Sequence, residues 1–222
     1  MKPEMPAQPA AERQREEPKL PPLEVGTTTL VETQYAGQAY HYRCYVPRSL
    51  KPGEPIVVVL NTSPVGEAEP LSTRMAEKLG WVMVGLVEAR NGPGEPVYNN
   101  MVSTVQDLAQ RYEIRPRGLV FSGFSGGARA SFFFAKRFGD LCSGIVAIGA
   151  GSSGTPGTLR DDIPVFFIAG KSDFNRAEVA QEAEREEKAG RACELATHPG
   201  GHEWGPAKLH DEALAWLAEH LP

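Results

Sequence analysis

The sequence predicts an α/β fold, a mostly parallel central sheet with helices on both faces. Three observations carry that prediction. Short apolar runs such as Ile56-Val57-Val58-Val59-Leu60 are continuously hydrophobic and β-branched, as strands covered on both faces must be. These runs alternate with segments of helical periodicity from about Ile56 to the end. Strand–helix–strand alternation of this kind implies right-handed crossovers and parallel pairing.

Element by element, Met1 to about Pro22 is built from Pro, Glu, Gln, Ala and Arg, too little apolar material to fold, and reads as a disordered tail. The folded domain is expected over 23–222. Leu23–Glu32 and Gln38–Val46, rich in Val, Thr and Tyr and parted by Tyr35-Ala36-Gly37, read as an antiparallel strand pair. The turn signal Lys51-Pro52-Gly53-Glu54-Pro55 leads into the first central strand, Ile56–Leu60. There follow a helix over Ala68–Leu79, a strand over Trp81–Val87, a helix over Asn99–Tyr112 and a strand over Gly118–Ser122. Beyond these the pattern gives a helix over Gly126–Phe138, strands over Gly144–Ile148 and Val165–Ala169, a helix over Arg176–Ala189, a strand over Cys193–Thr197 and a last helix over Ala207–His220.

Composition narrows the partners. A formal charge of -5 offers no attraction to nucleic acid or to an anionic membrane surface, so a small soluble substrate is expected. Three cysteines scattered without C-x-x-C spacing argue against a disulfide framework or a zinc site. No stretch approaches the roughly 18 apolar residues of a membrane span, and the N-terminus lacks a basic-then-apolar export signal. As it stands the chain reads as cytoplasmic, although its Pro- and Glu-rich opening would equally suit the spacer left by a trimmed signal. Nothing in the sequence points to an oligomeric state.

The strongest chemical signal is Gly123-Phe124-Ser125-Gly126-Gly127, because an apolar strand runs straight into G-x-S-x-G and a helical pattern follows at once. A serine held on so sharp a turn needs almost no side chain two positions before and after it, and Gly123 and Gly127 stand there. Gly126, Ala128 and Ala130 let the helix start lie close to the sheet, where its free N–H groups face the reacting centre and favour an oxyanion. This strand–turn–helix resembles the nucleophile elbow of the α/β-hydrolases.

That resemblance implies the chain order serine, acid, histidine, with the acid in a loop after a later strand and the histidine after the last one. Asp173 lies just past Val165–Ala169 and is the best acid; a helix-start acid is the other reading of the same residue. Asp161 and Asp162 precede that strand, at the wrong end of the sheet, and Glu88 follows an earlier one. Among five histidines, His41 lies in an early strand and His210 and His220 on the last helix. His202, preceded by Gly200 and Gly201, is the better base; His198 adjoins the strand. Pro199 and the glycines break the helix that an H-x-x-x-H metal pair would need, so no metal is expected. The oxyanion hole implied by the resemblance combines the Gly126 N–H with one from the loop after the first central strand, from Ser63 or Thr62 because Pro64 has none. Phe124 and Trp204 are pocket walls for substrate or core packing.

The resemblance to the α/β-hydrolase superfamily extends over roughly 23–222. Tyr45-Val46-Pro47 and Arg115-Pro116-Arg117 are similar to features of small serine esterases of the polyhydroxybutyrate-depolymerase, feruloyl-esterase and dienelactone-hydrolase-like groups. These groups usually carry His-Gly after the first central strand, where this chain has Asn61-Thr62. The resemblance implies a carboxylic ester hydrolase working through Ser125, His202 and Asp173 without a cofactor. Gly149–Pro164, where lids of this fold are inserted, is too short for a large cap, which implies an open pocket and small to medium esters. Thioester or peptide hydrolysis on the same triad, and a non-catalytic binding protein on the same fold, are the competing expectations.

Overall fold

A computed structural model describes residues 20–91 and 94–222. Most of the expected N-terminal tail therefore lies outside the described residues. Its last part does not hang free: the Leu20 N–H donates to the Gln110 carbonyl at 2.9 Å and Arg111 donates to the Pro21 carbonyl at 2.8 Å.

In chain order the described elements are β1 (Thr28–Tyr35), β2 (Gln38–Tyr45), β3 (Ile56–Thr62), α1 (Thr73–Leu79), β4 (Val82–Leu86), α2 (Glu95–Arg111), β5 (Ile114–Phe124) and α3 (Gly126–Arg137). β6 (Cys142–Ile148), β7 (Val165–Gly170), α4 (Arg176–Lys188), β8 (Cys193–His198) and α5 (Ala207–His220) complete them. The strands form one sheet in the order β1-β2-β4-β3-β5-β6-β7-β8, antiparallel between β1, β2 and β4 and parallel from β4 to β8.

The pleat explains why β3 reads as one apolar run. Val58 and Leu60 join a core with Met101 and Leu108 of α2, Phe132 and Phe134 of α3, and Val179 of α4. Val57 and Val59 face the other way, into a core with Met75 of α1 and Leu214 and Leu217 of α5. Successive residues point to opposite faces, so a strand with helices on both sides has no polar face to show.

Several boundaries move from their sequence positions, four of them at element starts with a clear local cause. β1 begins at Thr28 rather than Leu23, because Gly26 turns the chain with φ near +75° and leaves Val25 only an isolated bridge to Val46. Ala36 and Gly37, both at positive φ, then make the tight two-residue turn into β2. α1 starts at Thr73, capped by the Ser72 hydroxyl, which accepts from the Met75 N–H; Ala68 is instead held extended by its N–H bond to the Leu86 carbonyl. α2 starts earlier, at Glu95, with Gly94 before it and Pro96 in its first turn. β5 starts at Ile114 and absorbs Pro116 with Arg117 at φ 52° and a break in register against β3.

Residues 149–164, between β6 and β7, contain neither helix nor strand and tuck Leu159 and Ile163 into the core. Among the described residues no helix is long and apolar enough to cross a membrane.

Candidate active site

The carboxyl ends of the parallel strands bring the sequence-predicted residues together. Ser125 stands between β5 and α3 at φ 54°, ψ -116°, a conformation costly for any residue with a side chain. Two neighbours make it tolerable. A Cβ on Gly123 would stand 2.5 Å from the Gly127 carbonyl and 2.7 Å from the Thr62 oxygen, and one on Gly127 would stand 2.1 Å from that Thr62 oxygen. Glycine is required at both because the backbones of β3, β5 and α3 converge here. The Ser125 N–H donates to the Ile148 carbonyl of β6 at 2.8 Å, pinning the turn to the next strand.

Asp173 follows β7 with its carboxylate fully enclosed. Its two oxygens lie 2.9 and 3.0 Å from His202 Nδ1, and Oδ1 also accepts the Asn175 N–H at 2.7 Å. One carboxylate thus lies just ahead of α4 and within hydrogen-bond distance of His202. With Nδ1–H donated to Asp173, Nε2 of His202 is free to accept, and it lies 2.8 Å from Ser125 Oγ. Backbone bonds tie the two loops: Lys171 N–H donates to the His198 carbonyl and Ser172 N–H to the Gly200 carbonyl. Gly170 lies so close to the second loop that a Cβ on it would meet the Gly201 oxygen at 2.1 Å and the Gly200 oxygen at 2.4 Å, so the missing side chain of Gly170 is what lets the loop carrying His202 approach the end of β7.

The other candidates are occupied elsewhere. Glu88 accepts from both the ring and the N–H of His41, at 2.7 Å each, and that hydrogen bond raises the His41 pKa. Asp162 pairs with Arg160 and Arg117, whose hydrogen bonds hold its carboxyl well below the usual carboxylate range. His210 bonds the Trp204 carbonyl and His220 the Trp216 carbonyl. Buried His198 accepts the Gly200 N–H on Nδ1 at 3.2 Å and so shapes the loop that carries His202. Among the described residues no cluster of three or more His, Cys, Asp or Glu could hold a metal ion.

Around Ser125, Gly126 opens α3 with no side chain capping its first turn. Asn61 and Thr62, read from sequence as the start of a loop, are the last residues of β3; Asn61 donates from its side chain to the Glu69 carbonyl. Ser63 is the first residue beyond the strand, its nitrogen 3.3 Å from where a Gly127 Cβ would stand. Phe124 and Trp204 lie 5.3 Å apart with their rings tilted, both packed on the α1–α5 core, and Phe124 also lies 4.7 Å from the His202 ring. Both are core packing, and Phe124 also borders His202. Sequence reasoning missed Phe174, whose ring lies 4.2 Å from His202 on the turn after Asp173. It missed the pair Arg129–Glu178 too, a two-pronged bridge at 2.7 and 3.0 Å that ties α3, which follows Ser125, to α4, which follows Asp173. A recess of about 330 Å³, between α3, α4 and the 149–164 connection, is lined by Lys136, Glu182, Arg185, Glu186 and Arg191 and touches none of the predicted site residues.

No protein-family model matches the chain, and a search of the curated proteins finds no match. Solved structures do match it. A thermostable esterase superposes with TM-score 0.71 at 15% identity, covering 88% of this chain and 63% of that one, so the chain spans under two thirds of that protein's length. A ferulic acid esterase gives 0.64 at 14% identity, covering 85% of this chain and 94% of the other. FphF, a fluorophosphonate-binding serine hydrolase of Staphylococcus aureus, gives 0.68 at 12% identity, covering 87% and 99%. Identities this low speak for architecture alone, and with the strand order and elbow described above they establish that this chain has the α/β-hydrolase fold.

Proposed function

We propose that the chain is a serine hydrolase that cleaves carboxylic esters of small to medium soluble substrates through an acyl-enzyme. The observation that carries this reading is the unbroken hydrogen-bonded line from Ser125 Oγ through His202 to buried Asp173, starting on a strained elbow at a helix N-terminus.

In the proposed reaction Ser125 Oγ attacks the ester carbon while its proton passes to His202 Nε2. Asp173 stays ionised, holds the imidazole in the tautomer that leaves Nε2 open, and stabilises the imidazolium as it forms. The carbonyl oxygen, now an oxyanion, accepts from the Gly126 and Ser63 N–H groups; Thr62 is the weaker candidate of the two named from sequence, since it ends a strand and turns its carbonyl onto Gly127. His202 returns the proton to the leaving alcohol, the C–O bond breaks, and the acyl group remains on Ser125. A water then repeats the sequence, giving up its proton to His202 and releasing the acid. No step needs a metal or organic cofactor. The structural likeness to esterases and serine hydrolases supports the same reading.

The test is hydrolysis of p-nitrophenyl acetate, butyrate and octanoate by the purified chain and by Ser125→Ala, with fluorophosphonate labelling of each. Turnover and labelling by the wild type, both lost in Ser125→Ala, are expected, with a loss of roughly 10⁶-fold when a triad nucleophile is removed. A folded wild type that neither turns over nor labels refutes the proposal.

A further inference from the structure

The two most exposed large hydrophobic side chains among the described residues are Phe174, 77% exposed, and Val65, 75% exposed. Neither is scattered at random over the surface. Val65 lies on the loop that carries Ser63, and Phe174 directly follows Asp173. The backbone that carries Phe174 is pinned on both sides: Asn175 gives its N–H to Asp173 Oδ1 and its side-chain amide to the Gly149 carbonyl, and Asp173 is bound to His202. His202 is thus held between two rings. Phe124, at 4.7 Å, belongs to the core together with Trp204, whereas Phe174, at 4.2 Å, faces solvent. An exposed aromatic ring on a pinned backbone beside the proposed base is a surface that an apolar ligand can cover.

Resting on the hydrolase reading above, we infer that Phe174 is the specificity-determining contact for the alcohol part of the substrate, and that the preferred esters carry an aromatic or bulky apolar alcohol. The choice of the alcohol over the acyl side follows from the proton path. The leaving oxygen must come within hydrogen-bond reach of His202 Nε2, so its first carbons fall beside the imidazole and therefore beside Phe174. The acyl chain lies on the far side of the scissile carbon.

The experiment compares kcat/KM for ethyl and benzyl acetate, which share an acyl group, and for methyl acetate and methyl hexanoate, which share an alcohol, in wild type, Phe174→Ala and Phe174→Tyr. The benzyl-to-ethyl preference is expected to fall roughly three- to tenfold in Phe174→Ala, as the loss of one aromatic contact implies. It should return in Phe174→Tyr, while the hexanoate-to-acetate preference stays at its wild-type value. An active wild type whose benzyl preference survives Phe174→Ala overturns the inference. So does an equal loss on all four esters, which would mean that the ring acts on His202 rather than on substrate, or a change confined to the acyl pair. A wild type inert on every ester and unlabelled by fluorophosphonate refutes the hydrolase reading itself, and this inference with it.

Discussion

Gly127→Ala sets two physical effects of opposite sign against each other. Gly127 sits at the start of α3 with helical backbone, where replacing glycine by alanine ordinarily stabilises by about 0.5–1 kcal/mol. Here the new Cβ would stand 2.1 Å from the Thr62 oxygen and 2.7 Å from its carbonyl carbon, both backbone atoms of β3, so strand and helix must separate by more than 1 Å to reach ordinary contact. Overpacking of this kind costs about 1–3 kcal/mol, and because both walls are backbone the clash should outweigh the propensity gain. For a domain of this size each kcal/mol corresponds to a fall in Tm of about 2–4 °C. The displaced segment ends at Ser63, so the proposed oxyanion donor moves with it, and a misplacement near 1 Å costs about 100-fold in rate. Thermal unfolding followed by circular dichroism, together with kcat on p-nitrophenyl acetate, reads both quantities. A variant that melts at or above the wild-type temperature and keeps kcat within about threefold would refute the claim that this contact sets the geometry of the site.

Two further outcomes follow from the charged and thiol groups. The hydrogen bond from Arg129 lowers the Glu178 pKa in the fold, so the pair's contribution is present above the ordinary carboxyl value and lost as pH falls through the folded one. Glu178→Gln should therefore cost about 1 kcal/mol in urea unfolding at pH 7 and progressively less as pH falls below the ordinary carboxyl value, and a cost that does not change with pH would refute the ion-pair account. Burial pushes the Cys142 and Cys193 thiols up to about 12 and raises Cys44 as well, so a disulfide reagent at pH 8 should find no fast thiol in the native protein and all three after denaturation. A native thiol reacting within seconds would contradict the burial of Cys44 and Cys142 or the raised thiol of half-buried Cys193.

The parts legible in the sequence were those where local chemistry and tertiary burial agree. β3, β6 and β7 read as runs because both faces are covered, and the elbow reads as a motif because its glycine spacing is compact, although part of the steric demand on Gly123 and all of that on Gly127 comes from the end of β3 and the residue after it. Asp173 and His202 were legible through chain order, since each ends up in a loop after a parallel strand. Helix starts were misplaced where distant partners decide. Ala68 has helical periodicity but is held extended by Leu86, and Asn99 and Asn100 lie inside α2 because Asn100 accepts the Glu88 and Ala89 N–H groups and donates to the His41 carbonyl. Phe174 and the Arg129–Glu178 bridge were illegible for the same reason: no local pattern states which residue a side chain will face 28 or 49 positions away.

The three residues of the proposed triad are held to each other by unequal means, and the inequality bears on which part of the candidate site is rigid. Asp173 and His202 sit on loops bonded backbone to backbone, through Lys171 to His198 and Ser172 to Gly200, so acid and base form one unit that no single side-chain change dissolves. Ser125 belongs to a different unit, fixed to β6 through its own N–H and to β3 through the glycine contacts. Between the units stand the β6–β7 pairing with the Gly149 N–H donated to the Ile168 carbonyl, the Asn175 amide on the Gly149 carbonyl, the packing of Phe124 against His202, the Ser125–His202 hydrogen bond itself, and the Arg129–Glu178 bridge between α3 and α4. Substitutions that disturb the first unit should alter the base, whereas those at Phe124 or Arg129 should change how well the nucleophile meets it. The proton-transfer distance, rather than the charge of the acid, is then the quantity most exposed to change from outside the site.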